Sequence, residues 1–441
     1  MRRNLLDPAA SWIVLGALAV VCLLNIDTLG SDPWRFRPGA VRAHGPLASL
    51  VRAAGRHWDP SLLRSVAMLA GLGVVVLAFV IVVRGVLPAW VAIAASAAVA
   101  VALVLPGTLL QAGLRQSTSP WFFTNDSTYQ IELAGEGVLH RDDPYGRDYS
   151  HTGLERFYSL DGSVHPGTLR TQVALHHFAY FPGTALLAAA WHVLPRPWDD
   201  FRVLIALCTL GLLASAFAFP GPLPLRAALG VLAAANPIAV RAAWFGTADA
   251  PAVLLLLLAF AAAMRRRPVL AGLLIGGAVL TKQFALAGVP FLGVLLLLQV
   301  GRAALLRATV AAVALFAIGV LPFVVAGPSA FWHDTVSYGS GTYRIVGYGL
   351  SALLVKAGVL HDRHSSYPFL PLVVLAWLPV TVVLAWHQWR ARSAYLAGAC
   401  FAASIFLLLF LGRVFQISYL IWPLEGLVLA GLLGAPQRRP T

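Results

Sequence analysis

The segment LAGLLIGGAVLTKQFALAGVPFLGVLL, residues 270–296, has a single charged side chain, that of Lys282. A helix that crosses a bilayer needs about 20 predominantly apolar residues, because the hydrocarbon core is about 30 Å thick. Backbone amides inside that core must be satisfied within the protein, which favours helices over open sheets. The segment therefore predicts two membrane helices, over 269–283 and 285–300.

Apolar segments of this kind recur along the chain of 441 residues, of which 59% are hydrophobic and 11% charged. An ordinary soluble domain is about 25% charged. The pattern predicts an all-α, polytopic membrane protein of about 12–14 helices. The predicted spans are 11–30, 66–83, 88–110, 181–195, 203–219, 250–264, 269–283, 285–300, 308–326, 367–387, 393–412 and 419–434. Segment 227–246 is interrupted by Asn236-Pro237, which predicts two short helices or a re-entrant hairpin.

Arginine-rich short loops set the predicted orientation, since such loops stay on the cytoplasmic side. With both termini inside, the cytoplasmic loops include RPWDDFR (196–202), MRRRP (264–268), GRAALLR (301–307) and HQWRAR (387–392). This orientation requires 227–246 to cross twice or not at all. Loop 31–65 disagrees with it, because that loop would be extracytoplasmic and yet rich in arginine.

The predicted organisation is one membrane domain in the plasma membrane, with two large extracytoplasmic loops. In chain order, it has N-terminal spans (1–110), a first outer loop (111–180), central spans (181–326), a second outer loop (327–366) and C-terminal spans (367–441). The formal charge of +14 does not indicate nucleic-acid binding, because the basic residues lie in separate clusters between apolar runs. All three cysteines lie inside apolar segments, which argues against a disulfide framework or a thiolate metal site.

The first outer loop concentrates acid in FFTNDSTYQIELAGEGVLHRDDPYGRDY, residues 122–149. Two interpretations of Asp126 stay open at this point. Asn125, Asp126 or Ser127 can cap the helix that follows, and Ser127 has capping-box spacing to Gln130. Alternatively, Asp126 is a catalytic carboxylate. Its predicted outer position separates it from ATP and nucleotide sugars, so an activated substrate would have to arrive through the membrane.

Lys282 is costly in a bilayer core, and intramembrane ionisable residues are functional candidates. Its lysine chain can also snorkel to the interface, and both interpretations stay open. Asp249 lies at an outer helix end, where capping of 250–264 competes with a substrate contact. Glu425 lies inside the last span, where it would pair with Arg413 or face a polar pocket.

His176 and His177 precede the span that begins at 181. Adjacent histidines lack the separation of helical zinc motifs, so the pattern disfavours a metal site and leaves a phosphate contact open. The second outer loop, FWHDTVSYGSGTYRIVGYGLSALL, is rich in Tyr and Gly and contains Arg344. Such residues suit a sugar, and they also form interfacial aromatic belts.

Several segments together resemble the GT-C glycosyltransferases, and glycosyltransferase family 87 in particular. The segments are TNDSTYQIELAGEGVLHRDDPYGRDY, FAYFPGTALLAA, NPIAVRAAWFGTADAPAVLLLLLAF, the glycine-rich segment that ends near Lys282, and FQISYLIWPLEGLVLAG. They cover most of residues 115–434. The chain departs from the family pattern at Phe181-Pro182-Gly183, where a double proline is usual, at His140-Arg141, where a glycine is common, and at Thr247, which replaces a glutamine.

The resemblance implies an inverting transfer of mannose or arabinose from a polyprenyl phosphate carrier to a lipid or cell-envelope glycan. Asp126 would be the general base and Lys282 would stabilise the departing phosphate. The predicted substrate-binding residues are Tyr129, Glu132, Tyr145, His177, Tyr180, Asp249, Lys282, Arg344, Gln416 and Tyr419. No cofactor is assigned, and a divalent metal is left open. The alternative is a transporter or flippase of a lipid-linked glycan, which predicts related halves that the sequence does not display.

Overall fold

The computed structural model describes residues 42–57, 89–117, 125–158, 172–342 and 344–434. The predicted spans 11–30 and 66–83, and parts of loop 31–65, lie outside these residues. Within the described chain, helices dominate. The strands β1 (Val346–Gly347) and β2 (Val414–Phe415) form one short parallel pair. The helical fold class is therefore confirmed, while the number of membrane helices stays a prediction.

The helices of the first half are α1 (Ala48–His57), α2 (Ala89–Gln116), α3 (Asp126–Leu139), α4 (Gly183–Trp191), α5 (Phe201–Ala216), α6 (Leu223–Ala235), α7 (Pro237–Phe245) and α8 (Ala250–Met264). Those of the second half are α9 (Pro268–Thr281), α10 (Val289–Gln299), α11 (Arg302–Ala326), α12 (Pro328–Trp332), α13 (Leu350–Lys356), α14 (Phe369–Leu372), α15 (Leu378–Ala391), α16 (Tyr395–Leu411) and α17 (Ile421–Gly434). A π-helical segment, His333–Thr342, follows α12.

Three helical segments of the described chain are long and apolar enough to cross a membrane. They are Arg302–Ala326, Phe369–Ala391 and Ile417–Gly434. The pair α6–α7 passes the same test together and bends by 45° at its break. The length and composition of these segments indicate a membrane protein. The pair α6–α7 forms two short helices that meet at Asn236-Pro237, one of the two arrangements predicted there.

Glycines fix the closest helix contacts. A Cβ on Gly272 of α9 would lie 2.1 Å from the carbonyl oxygen of Ala308, and one on Gly276 would lie 2.7 Å from that of Ala312. Small residues four apart let two backbones approach closely inside a membrane, where interhelical packing replaces the hydrophobic effect. These contacts pack the glycine-rich α9 against α11. They also fix the position of its last turn, immediately before Lys282.

Backbone and side-chain contacts define two ends of the helix bundle. At one end, which we call the site end, the amide of Asn125 donates to the carbonyl of Phe245 at 2.9 Å. At the other, the far end, Arg265 Nε donates to the carbonyl of Ala218 at 2.7 Å. The pair α6–α7 begins shortly after Ala218 and ends at Phe245, so its two ends lie near the far end and the site end.

The prediction of a span over 181–195 is wrong. Its helix, α4, has nine residues and is roughly 14 Å long, too short to cross a bilayer. It packs on α3, where a Cβ on Gly135 would lie 2.6 Å from that of Ala188. The amide of Phe201 donates to Glu132 at 2.8 Å, so residues 196–202 lie beside the first-loop helix and not across the membrane from it.

The alternation of the remaining spans stays a prediction. Loop 265–267 lies at the far end, where Arg265 contacts the carbonyl of Ala218. The structure places RPWDDFR with the first-loop residues, whereas the sequence predicted it for the opposite side.

Candidate functional site

Lys282 is buried at the site end, immediately after α9. Its backbone is extended, with φ −148° and ψ 123°, and this ends the helix and turns the side chain back into the protein. Its Nζ lies 3.4 Å from Asp249 Oδ1, 4.7 Å from the centroid of the Tyr180 ring and 5.7 Å from that of Phe284. The ammonium is therefore held by one carboxylate and by aromatic faces, which attract cations.

Asp249 precedes α8, but its side chain makes no capping bond to that helix. Oδ1 instead accepts a hydrogen bond from Trp422 Nε1 of α17 at 3.0 Å and faces Lys282. The carboxylate is 2% exposed, and burial of a charge requires a partner of this kind. Asp249 therefore links the end of α9 to the beginning of α17. It does not cap α8, a role that the sequence had left open.

Asp126 is the first residue of α3, and its neighbour Asn125 is the cap. Asn125 has β-region backbone angles, as a capping residue should, and its Oδ1 accepts a hydrogen bond from the Ser127 amide at 2.9 Å. Asp126 Oδ1 also accepts that amide, at 2.8 Å. Desolvation raises the pKa of Asp126 above its ordinary value, against the opposing effects of Ser127, the Tyr158 hydroxyl and Arg344. A raised pKa suits a carboxyl group that exchanges a proton near neutral pH.

Tyr180 connects the two carboxylates and the lysine. Its ring faces the Lys282 ammonium, 4.7 Å from the ring centroid. Burial raises the pKa of the Tyr180 hydroxyl, and Lys282, Ser127, Asp126 and Asp249 all lie near enough to influence that pKa. We refer to Asp126, Tyr180, Asp249 and Lys282 as the site cluster. These four residues come from four separate segments of the chain.

The departure at Phe181-Pro182-Gly183 explains how Tyr180 reaches the lysine. A Cβ on Gly183 would lie 2.6 Å from the carbonyl oxygen of Leu280, so glycine lets α4 begin against the last turn of α9. Tyr145 holds the same segment from the other side, because its hydroxyl donates to the carbonyl of Tyr180 at 2.8 Å. Tyr145 therefore positions Tyr180 through its backbone.

Other predicted residues lie at the edge of the site cluster or away from it. Tyr419 packs edge-on against Phe284, with ring centroids 5.1 Å apart, and Gln416 is exposed next to β2. Arg344 is exposed and acts on Asp126 electrostatically. Tyr129 is buried, and its hydroxyl donates to the carbonyl of Thr152 at 2.8 Å. Tyr419 and Arg344 therefore border the cluster, whereas Tyr129 packs inside the first loop.

Glu132 belongs to a different group of charges, which we call the closed network. Its members are Arg115, Glu132, Asp199, Asp200 and Arg202. Arg115 Nη1 lies 3.1 Å from Glu132 Oε1, and Arg202 Nη2 lies 2.6 Å from Asp200 Oδ2. Glu132 is 1% exposed and also accepts the Phe201 amide. Its carboxylate is thus satisfied by α2 and α5 and is not part of the site cluster.

The sequence reasoning missed Asp334, which is 1% exposed. His177 Nδ1 lies 2.8 Å from Asp334 Oδ1, and the His177 ring packs against that of Tyr338 at 4.6 Å between centroids. The only available signal was an acid within the aromatic second loop. Tyr158 was missed too, because its contact with Asp126 forms only when the first loop folds back on α3.

Two buried polar groups stand near the site cluster with no hydrogen-bond partner among the described residues. They are the hydroxyl of Thr247, at the position where the family pattern has glutamine, and the carboxylate of Glu425, one turn below Trp422 in α17. The predicted pairing of Glu425 with Arg413 does not form: the Arg413 side chain donates to the carbonyl of Ser365 at 3.2 Å.

Residues 178–412, more than half of the chain, match the model of glycosyltransferase family 87. The match includes Tyr180, Asp249 and Lys282 and begins after Asp126. No curated protein and no solved structure matches the chain. A glycosyltransferase needs a sugar donor and an acceptor, and the site cluster offers a cation and carboxylates at one end of an apolar bundle. The chain belongs to glycosyltransferase family 87 and is a membrane glycosyltransferase.

Proposed function

We propose that the protein moves a sugar, mannose or arabinose, from a polyprenyl phosphate to a lipid or cell-envelope glycan on the extracytoplasmic face of the plasma membrane. The observation that carries this proposal is the buried ammonium of Lys282 at the end of an apolar bundle, 3.4 Å from Asp249 Oδ1 and 4.7 Å from the centroid of the Tyr180 ring. A lipid phosphate is the anion that reaches such a position along the membrane.

Asp126 acts as the general base. Its carboxylate takes the proton of the acceptor hydroxyl while that oxygen forms a bond to the anomeric carbon. Its raised pKa increases its basicity, and a positioned base contributes about 10²–10⁴ in rate. The assignment is compatible with the local structure because Asn125 supplies the helix cap.

Lys282 acts on the leaving group. As the bond between the anomeric carbon and the phosphate oxygen breaks, the electron pair stays with the polyprenyl phosphate, whose charge the ammonium offsets. Such stabilisation is strongest in a site that excludes water and is already organised. Asp249 and the Tyr180 ring hold Lys282 in place before the donor binds.

The displacement passes through one transition state, with attack opposite the departing phosphate, and therefore inverts the anomeric configuration. Asp126 serves as a base and not as a nucleophile in this scheme. Arg344, which acts on Asp126 from the second loop, lies where it can contact the donor or acceptor. Family membership supports transfer over the alternative of a transporter or flippase.

A donor assay tests this proposal. Purified protein in detergent is incubated with radiolabelled polyprenyl-phosphate mannose or polyprenyl-phosphate arabinose and a membrane lipid extract as acceptor. We expect label to move from one of these donors to the acceptor fraction. Parallel reactions receive UDP- or GDP-sugars. Transfer from a nucleotide sugar, and none from either lipid-linked sugar, would overturn the proposed donor class.

A further inference from the structure

Three side chains that can bind a metal gather beside the site cluster. His177 comes from the segment that precedes α4, and His333 and Asp334 come from the segment that follows α12. One ligand atom from each lies within 4.8 Å of the others. His177 Nδ1 is 2.8 Å and His333 Nδ1 is 3.9 Å from Asp334 Oδ1. The fold thus brings together residues separated by more than 150 positions.

The carboxylate of Asp334 is oriented for a cation. Oδ2 accepts the amides of Gly146 at 2.9 Å and Phe178 at 3.1 Å, so Oδ1 is the oxygen that faces the two imidazoles. The Pro-Tyr-Gly turn supplies the first amide, with Gly146 at a φ of +67°. Carboxylate ligands of metals are commonly fixed by hydrogen bonds of this kind.

The charges around Asp334 also favour a cation at this position. Asp334 is almost fully buried, and its ion-pair partners in the described chain are the two imidazoles. Asp143 acts on it electrostatically and adds further negative charge. Burial of a carboxylate close to another acid costs free energy, and a positive charge beside it reduces that cost.

We propose that His177, His333 and Asp334 bind one divalent transition-metal ion, such as Zn²⁺. Bonds of about 2.1 Å place ligand atoms about 3.0–3.4 Å apart, which falls within the range of separations seen among these atoms. Two imidazoles and one carboxylate form a donor set that binds first-row divalent ions in preference to Ca²⁺ or Mg²⁺. The ion ties the first outer loop to the second.

The proposed centre has a solvent-facing side. The side chain of His333 is 57% exposed, whereas that of His177 is 11% exposed. Three protein ligands leave a fourth position for water or an anion, as in catalytic zinc sites. We assign that position to a phosphate oxygen of the donor. This last assignment rests on the proposed function, while metal binding itself does not.

Cobalt binding tests the site without any sugar donor. Full-length protein in detergent is treated with EDTA, dialysed and titrated with Co²⁺, and the visible d–d absorption is recorded. We expect one equivalent to bind, with saturation of the spectrum at that ratio. His333→Ala, at an exposed position, should fold normally and bind Co²⁺ at least tenfold more weakly. His177→Ala should behave in the same way.

His176→Ala is the matched control. This neighbouring imidazole lies 3.2 Å from Asp148 on the surface and should be dispensable for the metal. Equal binding by the His176 and His177 variants, or no binding by the wild type, would overturn the site. If a protonated His177 side chain is all that compensates the charge of Asp334, the wild type should bind no Co²⁺. Addition of a polyprenyl phosphate to the Co²⁺ form should shift its spectrum, and an unchanged spectrum would overturn the open position.

Discussion

The closed network and the site cluster both contain buried charges, but they differ in how the charges are paired. In the closed network, Arg115 faces three carboxylates and Arg202 donates to both oxygens of Asp200. In the site cluster, Lys282 faces one carboxylate at 3.4 Å and two aromatic rings. The cations of the first group are paired within the protein, whereas in the proposed function Lys282 also faces a second anion, the donor phosphate.

Under the proposed function, this difference in pairing distinguishes the structural charges from the catalytic ones better than burial or residue type does. Glu132 and Asp126 lie on the same helix, within two turns of each other, and the sequence offers both as site residues. The structure pairs Glu132 with arginine and surrounds Asp126 with hydroxyls and an exposed guanidinium. A substitution in the closed network should therefore cost stability, and one in the site cluster should cost transfer.

Asp126→Asn should have the largest effect. Transfer should fall by about 10²–10⁴, because an amide cannot take the acceptor's proton. Thermal stability at neutral pH should match or exceed that of the wild type: the raised pKa of Asp126 means that its ionisation opposes folding, and the Asn variant has no such cost. Initial rates and a detergent melting curve measure the two effects.

The pH profile of wild-type transfer is the control for this assignment. The base works when deprotonated, so transfer should fall as the pH drops through the raised pKa of Asp126, at a higher pH than an ordinary aspartate would give. An Asn variant with wild-type rates would make Asp249 the next base to test.

Arg115→Met should mainly reduce stability. It leaves Glu132 and Asp200 buried without this guanidinium, and loss of one partner in a buried ion pair costs about 3–5 kcal/mol. Arg196→Met is the matched control, since Arg196 also pairs with Asp199 but is 73% exposed, so its loss should cost about 1 kcal/mol or less. Equal melting temperatures for the two variants would contradict the closed network.

Much of the fold was predictable because proline and arginine mark helix ends. The predicted span 250–264 coincides with α8, and 308–326 lies within α11. The span at 181–195 failed because an apolar segment that packs against protein has the same composition as one that faces lipid. The arginines of RPWDDFR misled the orientation rule, which counts charges without knowing that Arg202 is buried against Asp200.

The candidate site was predictable one residue at a time but not as an arrangement. Lys282 and Asp126 stand out as ionisable groups in apolar or unusual surroundings. Their connection through Tyr180 depends on the contact of Gly183 with Leu280, which spacing along the chain does not encode. Asp334 looked like an ordinary loop acid, because its burial requires contacts with Gly146 and Phe178, more than 150 residues earlier.

Lys282→Met should reduce kcat/KM for the donor by about 10–100-fold, the equivalent of one hydrogen bond to a charged group. The single variant also leaves Asp249 buried without its cation, so stability falls as well. The double variant Lys282→Met/Asp249→Asn removes both charges and should recover stability without recovering transfer. Recovery of transfer in the double variant would show that Lys282 only compensates Asp249. Lys282→Arg should retain part of the transfer.

Asn125→Ala should have the smallest effect and the opposite pattern to Asp126→Asn. Loss of a helix cap costs about 1 kcal/mol, so the melting temperature should fall slightly. Transfer per folded molecule should stay near the wild-type value, because the carboxylate of Asp126 is untouched and still accepts the Ser127 amide.

Asn125→Asp should restore stability, since Asp caps about as well as Asn. Its added charge next to Asp126 should move the acid limb of the pH profile to higher pH, because a neighbouring anion makes ionisation harder. A drop in transfer as large as that of Asp126→Asn would mean that the two neighbours do not divide the roles of cap and base.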